Sequence, residues 1–314
     1  MQKQYDVLII GAGVAGLYTA QALAEKKTKV CLVETKADPL NLSFFTLGSF
    51  LDIKKYGFTK KIIAAKISKV SFYSKRLSIK RKGHAYILDK KELHRQLLFK
   101  CKKNNVELKF GTTILNTKKN SHGFLNSIID EKGNRYKAKI FVDCSGKNGV
   151  LTKKFKLFNH KVNLAQGIEC NCRYKENKKE VHFFYGKSFK GGYGWIFPLK
   201  GRRAIVGYGS FDQKIKTSLT NHFNKMLEEP LIKKLIEKDN EKIFGGSFPI
   251  NEIKTHFVNK NVVGIGDSVS QGNPLFGEGY RFIIDSSSIA SKFILDCIKT
   301  NNLSFLKGYE KNGI

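Results

Sequence analysis

The sequence predicts an α/β protein in which a parallel-sheet domain, assembled from separate stretches of chain, carries an inserted antiparallel β-sheet domain. Three observations predict it. A strand–turn–helix–strand unit opens the chain at Tyr5–Glu34, strand-like segments fill 160–212, and a buried strand followed by a long helix returns at 262–299. A chain that leaves one sheet and comes back to it implies a discontinuous domain over 1–66, 84–158 and 256–314, with 67–83 and 159–255 forming the insert.

The composition suits a packed core. Of 314 residues, 41% are hydrophobic and 12% aromatic, which excludes a disordered or collagen-like chain because that much apolar burial offsets chain entropy. The length suits one large α/β unit or two interleaved domains. Only 5 Pro and no Ser/Gly/Pro-rich linker argue against beads on a string.

Tyr5–Ile10 is β-rich and alternates little, as a strand buried on both faces does. Ala12–Lys26 has helical spacing, and Lys29–Glu34 forms a second short strand. The uncharged run Val7–Ala24, 18 residues long, matches a membrane span in length alone, but three glycines, Thr19 and Gln21 divide it into a strand and a helix. Residues 67–73 and 76–81 read as a hairpin turning at Ser74–Lys75. Asp89 caps a helix running to about Lys103, since its carboxylate accepts from the first free N–H groups. Strands follow at 106–110 and 112–117, then a hairpin turning at Glu131–Asn134, then Ile140–Asp143. The segments of 160–212, with turn signals about every 8–12 residues, read as an antiparallel sheet. Residues 215–238 are helical, with Pro230 as a break or as the first position of a second helix. Val262–Asp267 is a buried strand, followed by a Gly/Pro loop and a helix from about Phe276 to Lys299.

Charge is unevenly spread. The chain carries 57 Lys+Arg against 26 Asp+Glu, a formal net charge of +31, and Asp52–Asn104 alone holds 17 basic and 3 acidic residues. Such a field favours a polyanionic partner: nucleic acid, an anionic membrane surface or a phosphorylated substrate. A solvated lysine-rich surface accounts for it equally. No RNP, KH, zinc-finger or helix-turn-helix pattern accompanies the charge, so no nucleic acid is expected. Within this stretch Ile53, Tyr56, Phe58, Ile62, Ile63 and Ile67 alternate with Lys54, Lys55, Lys60, Lys61 and Lys66. Their spacing suits a helix on an anionic lipid surface or a surface helix docked on its own core.

Six cysteines form no CxxC pair, Cys170 and Cys172 read as core neighbours on one strand face, and seven histidines fall singly; no metal and a reducing compartment are expected. The start, with Lys3, Asp6 and no cleavage site, is not a signal peptide. The expected location is the cytoplasm, peripheral on the cytoplasmic membrane face.

Three motifs carry chemistry. In Gly11-Ala-Gly13-Val-Ala15-Gly16, directly after a strand and opening a helix, the first Gly permits the tight turn. The second lets backbone approach a pyrophosphate and the third allows close helix–strand packing, while the helix N-terminus offers N–H groups to the phosphates. Glu34 ends the second strand, where an acidic side chain accepts from a ribose hydroxyl. Together they predict an adenine dinucleotide. The second motif, Val262-Val-Gly-Ile-Gly266-Asp267 with Gly272-Asn-Pro274-Leu-Phe-Gly277-Glu-Gly279-Tyr280, places a carboxylate and a helix N-terminus near one point. The third is Tyr193-Gly-Trp195-Ile-Phe197-Pro198, whose i, i+2, i+4 aromatics share one strand face; such a triplet serves a core as well as a ligand.

With Val142-Asp143-Cys-Ser-Gly146, the first two motifs resemble the three FAD fingerprints of the hydroxylase-type flavoproteins. The third resembles the YxWxFP element of geranylgeranyl reductases, as Tyr86-Ile-Leu-Asp-Lys90-Lys-Glu-Leu93 resembles that family's Tyr-x-x-x-Arg-x-x-Phe/Leu helix start. The resemblance implies a Rossmann-like FAD-binding domain with a substrate-binding β-sheet domain, p-hydroxybenzoate hydroxylase-like. It implies a cofactor site of Gly11, Gly13, Ala15, Gly16, Glu34, Lys90, Ile114, Asp143, Gly266, Asp267, Pro274, Gly277, Gly279 and Tyr280. Asp267 would hold the ribityl chain or a phosphate, and the amides of Gly277–Tyr280 would face the flavin N1/C2 carbonyl. Tyr193, Trp195, Phe197 and Pro198 would line an apolar substrate tunnel.

The implied activity is reduction of prenyl-lipid C=C bonds by hydride from reduced FAD, with NAD(P)H or an electron-carrier protein as transient donor and no catalytic residue assigned. The aromatic stretch also resembles the halogenase Trp-x-Trp-x-Ile-Pro element with Tyr in place of the first Trp, so an aromatic monooxygenase or halogenase is the alternative. A basic RNA-associated protein keeping a flavin fold is a third. The chain departs from the reductase pattern at Lys90 (Arg in the family) and His94 (Asp), and Asp38–Phe50 carries SFFTLGSF in place of a Cys-Gly-Gly signature. It ends soon after the flavin helix, so a C-terminal lipid-binding extension is not expected.

Overall fold

The computed structural model describes residues 4–44, 46–74, 77–157, 163–176, 178–189, 191–212, 218–237, 239, 242–251, 256–272 and 278–312. Along the chain run β1 (Gln4–Ile10), α1 (Val14–Ala24), β2 (Val30–Glu34), β3 (Thr46–Ser49), β4 (Ile63–Tyr73), β5 (Ser78–Asp89), α2 (Lys90–Lys103), β6 (Glu107–Phe110), β7 (Ile114–Lys119), β8 (Leu125–Asp130) and β9 (Arg135–Asp143). There follow β10 (Leu164–Tyr174), β11 (Glu180–Phe184), β12 (Gly192–Pro198), β13 (Arg203–Ser210), α3 (Leu219–Leu227), α4 (Pro230–Leu235), β14 (Ile236–Glu237), β15 (Phe244–Pro249), β16 (Val258–Asn259), β17 (Val262–Gly264), α5 (Tyr280–Thr300) and α6 (Leu306–Asn312).

These elements form two compact units: Met1–Asn41, His94–Val162 and Asn251–Ile314 make the first, and Leu42–Leu93 with Asn163–Ile250 the second. The boundaries expected at 66 and 84 cut through a continuous pairing. β4 and β5 pair antiparallel from Ile63↔Leu88 to Tyr73↔Ser78, and β3 adds to β5. Residues 42–66 and 84–93 therefore belong with the second unit.

In the first unit the sheet order is β16-β17-β9-β1-β2-β6, with β8 on β9 and β7 on β8. β1 runs parallel to both β2 and β9. Val7, Leu8 and Ile9 are fully buried, which is why their stretch is apolar without alternation. β17 pairs in parallel with β9, so the late strand returns to the opening sheet. The strand expected over Val262–Asp267 stops at Gly264, and Gly266–Val269 is a 3-10 turn. Among the described residues no helix is long and apolar enough to cross a membrane.

The second unit's sheet is β14-β10-β13-β12-β11-β4-β5-β3, with β15 on β10. All pairings are antiparallel except β4–β11. Helices α3 and α4 bring Phe223, Met226, Leu227, Ile232 and Leu235 onto the face of Cys170, Cys172, Val206 and Tyr208, and Pro230 is the first residue of α4. The Sγ atoms of Cys170 and Cys172 lie 3.4 Å apart in that core.

The helix expected over 53–67 does not form in either version. Lys60–Ile62 is one 3-10 turn and Ile63 begins β4. Ile53, Tyr56, Phe58, Ile62 and Ile67 are all buried, so these side chains serve the protein's own core. β-branched side chains pack well in strands and lose rotamer freedom in helices, and here pairing with β5 overrides the helical spacing. Asp89 caps α2 as expected, accepting from the Glu92 N–H at 2.9 Å. Lys75 of the expected turn, Phe276 at the expected helix start, and the site residues Pro274 and Gly277 lie outside the described residues.

Candidate functional site

The first unit gathers most of the expected cofactor residues at the C-terminal ends of β1, β2, β9 and β17, where an open parallel sheet places its ligands. Gly11 has φ +102°, and a Cβ there would lie 2.3 Å from the Cys144 carbonyl oxygen. At Gly16 a Cβ would lie 1.9 Å from the Gly11 carbonyl oxygen. Both glycines are demanded by the close packing of the turn. Gly13 differs: a Cβ there meets nothing within 4 Å, so the N-terminus of α1 is open on the side where a phosphate would sit.

Glu34 fastens this turn to β2. Its Oε2 accepts from the Ala12 N–H at 2.7 Å and its Oε1 from the Lys36 N–H at 2.8 Å. Each oxygen keeps a lone pair for a hydroxyl. The Thr112 N–H donates to the Glu34 carbonyl at 2.9 Å, bringing the start of β7, and with it Ile114, beside the same strand end.

Asp143 ends β9 opposite Ile10 and Gly264. Its buried carboxylate accepts four hydrogen bonds: Oδ1 from the Ser145 N–H at 3.0 Å and Ser145 Oγ at 2.6 Å, and Oδ2 from the Leu151 and Thr152 N–H groups at 2.6 and 2.7 Å. Its carbonyl accepts from the Ile265 N–H at 3.0 Å and Ser268 Oγ at 2.7 Å. The side chain is therefore a brace that ties two loops to the strand end.

After β17, Gly266 takes φ +75°, and a Cβ there would lie 3.2 Å from the Ala15 Cβ and 3.3 Å from Ile283 Cγ2. The two ends of the chain thus meet at this point: first turn of α1 against the β17 loop and α5. The Gly266 N–H donates to Gln271 Oε1 at 2.7 Å, Gln271 Nε2 donates to Tyr309 Oη at 2.8 Å, and Tyr309 Oη donates to the Gly264 carbonyl at 3.2 Å. Asp267 lies on this loop, and Gly279 and Tyr280 open α5. Burial, with the Asp267 charge nearby, pushes the Tyr280 hydroxyl far above the ordinary tyrosine range.

Lys90 belongs to the second unit, with Nζ 5.6 Å from the centroid of the Phe44 ring. One turn along α2, His94 is 2% exposed and its Nε2 lies 3.0 Å from Tyr280 Oη. In the sequence His94 stands out only as a departure from the family pattern. Its partner is 186 residues away, beyond any local signal.

In the second unit Tyr193, Trp195 and Phe197 do share one face, and that face is an aromatic wall. Phe183 packs edge-on against Tyr193 and Phe197 at 5.8 and 6.0 Å and stacks on Phe72 at 5.6 Å. Trp195 lies 5.8 Å from Tyr193 and 6.1 Å from Phe197. Pro198 ends the strand, buried, opposite Ala204. Beside the wall runs a trough of glycines. A Cβ on Gly207 would lie 2.2 Å from Trp195 Cε2, and one on Gly246 would lie 2.6 Å from Phe44 Cε2. Between them a Cβ on Gly167 would touch both rings, at 3.5 Å from Phe44 and 3.6 Å from Trp195. Glycines within strand patterns mark such close approaches, a signal that Gly207-Tyr-Gly209 and Gly245-Gly246 carry in the sequence. Phe44, Phe72 and Phe183 were not expected.

The open Gly13, the tight Gly11 and Gly16, the Glu34 carboxylate and the converging β17 loop fit an adenine dinucleotide. Residues 9–50 match the NAD(P)-binding Rossmann-like domain family, and residues 47–303 match the tryptophan halogenase family. A digeranylgeranylglycerophospholipid reductase of Methanosphaera stadtmanae is 25% identical, with 96% of this chain and 80% of the relative covered. One of Methanocaldococcus jannaschii is 26% identical, with 98% and 81% covered. Among solved structures, a geranylgeranyl bacteriochlorophyll reductase-like protein of Thermoplasma acidophilum superposes with a TM-score of 0.86 at 19% identity, covering 99% of this chain and 83% of the other. A flavin-dependent brominase superposes with a TM-score of 0.78 at 16% identity, covering 98% and 83%. The match over 47–303 spans most of the sequence, so the chain belongs to the tryptophan halogenase family; it is an FAD-dependent oxidoreductase similar to the geranylgeranyl reductase-like proteins.

Proposed function

We propose that this flavoenzyme saturates C=C bonds in the prenyl chain of a polar lipid. The observation that carries the reading is the aromatic wall of the second unit, a sheet face on which Tyr193, Trp195, Phe197, Phe183 and Phe72 present apolar ring surface to an apolar chain. The names of the relatives from M. stadtmanae and M. jannaschii support it.

When bound, reduced FAD supplies the hydride. The chain's own residues bind and orient. Gly11, Gly13, Ala15 and Gly16 would hold a pyrophosphate, and Glu34, with Ile114 beside its strand end, would take the adenosine ribose. Asp143 acts through the loops that it braces. Gly266 and Asp267 would hold the ribityl and phosphate end, and the N-terminus of α5 at Gly279 and Tyr280 would serve the flavin ring. Tyr280 Oη keeps its proton at neutral pH because burial opposes its ionisation. Tyr193, Trp195, Phe197 and Pro198 exclude water from the apolar chain. The protein works at an anionic membrane face, supplied with electrons by NAD(P)H or a carrier protein.

Anaerobic reduction of a geranylgeranylated glycerophospholipid by the photoreduced, FAD-loaded protein tests this, with saturation read by mass spectrometry. No saturation by a yellow, photoreducible preparation refutes it. The match of residues 47–303 to tryptophan halogenases favours a second reading, an aromatic halogenase or monooxygenase. Oxygen-dependent modification of an aromatic substrate would establish that one instead.

A further inference from the structure

Residues 53–88 contain 11 Lys or Arg and neither Asp nor Glu. The structure concentrates five of these cations, Lys66, Lys69, Lys80, Arg81 and Lys82, as exposed side chains on the β4–β5 hairpin. Lys69 stands directly opposite Lys82, and like charges facing each other across a strand pair are unfavourable. The register partner of Lys69 on the other side is Glu180, but that side chain is buried and accepts from the Ser71 hydroxyl. An external anionic surface relieves the repulsion.

The same hairpin is apolar at its end and, Arg81 apart, along one face. Leu77, at the start of the returning strand, is 57% exposed. Val70 and Phe72 of β4 pair with Arg81 and Ile79 of β5, and because strand side chains alternate between faces, these four share one side of the sheet. That side is continuous with the aromatic wall, since Phe72 stacks on Phe183. An apolar track therefore runs from Trp195 to a hairpin end that carries an exposed aliphatic side chain among cations.

We propose that the β4–β5 hairpin is a membrane-docking element. Leu77 enters the interfacial layer of an anionic bilayer, Lys69, Lys80, Arg81 and Lys82 meet lipid phosphates, and the Ile79–Phe72 face passes an apolar lipid chain to the aromatic wall. Phosphates alone would satisfy the cations, as an RNA backbone does, but an exposed leucine gains only from apolar surroundings. The inference rests on the prenyl-lipid reading of that wall.

The test uses the full-length, FAD-loaded protein and co-sedimentation with vesicles of phosphatidylcholine, with and without phosphatidylglycerol. Binding should require phosphatidylglycerol and weaken with salt. Losing a cation near an anionic surface lowers partitioning about fivefold, so Lys80→Glu with Lys82→Glu should lower it about 25-fold or more. Leu77→Ser should lower it about tenfold with the salt dependence unchanged. Both variants should keep the flavin spectrum and reduce a detergent-dispersed prenyl lipid as the parent does, while losing activity on vesicle-embedded lipid. Parent-like vesicle binding by either variant overturns the proposal, as does binding to single-stranded RNA in preference to vesicles. If the parent protein binds vesicles as described but saturates no prenyl lipid even in detergent, the substrate reading fails and the docking surface stands.

Discussion

The indole of Trp195 rests directly on Gly207, and a methyl group at Gly207 would lie 2.2 Å from Cε2 and Cζ2 and 2.6 Å from Nε1. Carbon atoms in contact sit about 3.5–4.0 Å apart, so Gly207→Ala must lift the ring off the strand. Overpacking of this kind costs about 1–3 kcal/mol. Taking the ring away first removes the conflict. In a Trp195→Ala background the Gly207→Ala change should be neutral, or stabilise by about 0.4–1 kcal/mol through the unfolded chain, because extended backbone accepts alanine. The two substitutions should therefore be coupled by about 1–4 kcal/mol. Urea unfolding of the four proteins, followed by far-ultraviolet circular dichroism, measures that coupling. The chain has one Trp, so its emission in Gly207→Ala reports the displaced indole without ambiguity and should shift to longer wavelength. Additive stabilities with unchanged emission would refute the packing of Trp195 on the glycine trough, and with it the wall's geometry.

Three further outcomes follow from the geometry. Gly16→Ala places a Cβ 1.9 Å from a carbonyl oxygen, so it should lower thermal stability and abolish FAD retention; Gly13→Ala, with open space around it, should cost less than about 1 kcal/mol at this helix start and weaken FAD binding selectively, as flavin absorbance against melting temperature will show. Asp143→Ala strands the buried Leu151 and Thr152 N–H groups and should cost about 3 kcal/mol or more in denaturant unfolding, since hydrogen bonds to a charged group contribute about 1.5–3 kcal/mol each. Acid should destabilise the second unit through His182 and Glu180. Burial lowers the His182 pKa from 6.5, while its ring nitrogens lie 3.2 and 2.9 Å from the hydroxyls of Tyr73 and Tyr174. Below about pH 6.5 the unfolded chain takes up a proton that the folded ring refuses, so stability falls with pH at up to about 1.4 kcal/mol per pH unit. Burial raises the Glu180 pKa, but the Ser71 hydrogen bond and nearby cations outweigh it, leaving a net lowering from 4.5 that extends the loss below that pH. His182→Gln should flatten the slope between pH 6.5 and 4.5 in urea titrations at fixed ionic strength.

The parallel sheet of the first unit was legible because its signals are local and redundant. Three glycines at fixed spacing, an uninterrupted apolar run and an acid at the next strand end all describe one turn. The stretch 53–67 was misread because its apolar residues recur at helical intervals, and nothing within it reveals that β5 lies alongside. Strand pairing is a non-local cause, and here β4 owes its conformation to residues 78–88. The missed strands have the same origin. β15 contains Gly245-Gly246-Ser, poor in β propensity, and is held as a strand by six paired positions on β10.

The three acids of the candidate site mark the limit of what spacing can say. Glu34, Asp143 and Asp267 each close a strand or follow one, and each reads as a cofactor ligand. The structure separates them by what their oxygens already hold. Asp143 spends its carboxylate on four internal donors and is fully buried, so its part is to set the geometry of the loops around it. Glu34 accepts one N–H on each oxygen, which orients the carboxylate while leaving it able to accept again. Burial first, and then the Asp267 charge, hold the proton on Tyr280, whose hydroxyl meets His94. The one ring nitrogen that faces it, Nε2, donates to or accepts from the Tyr280 hydroxyl according to the tautomer.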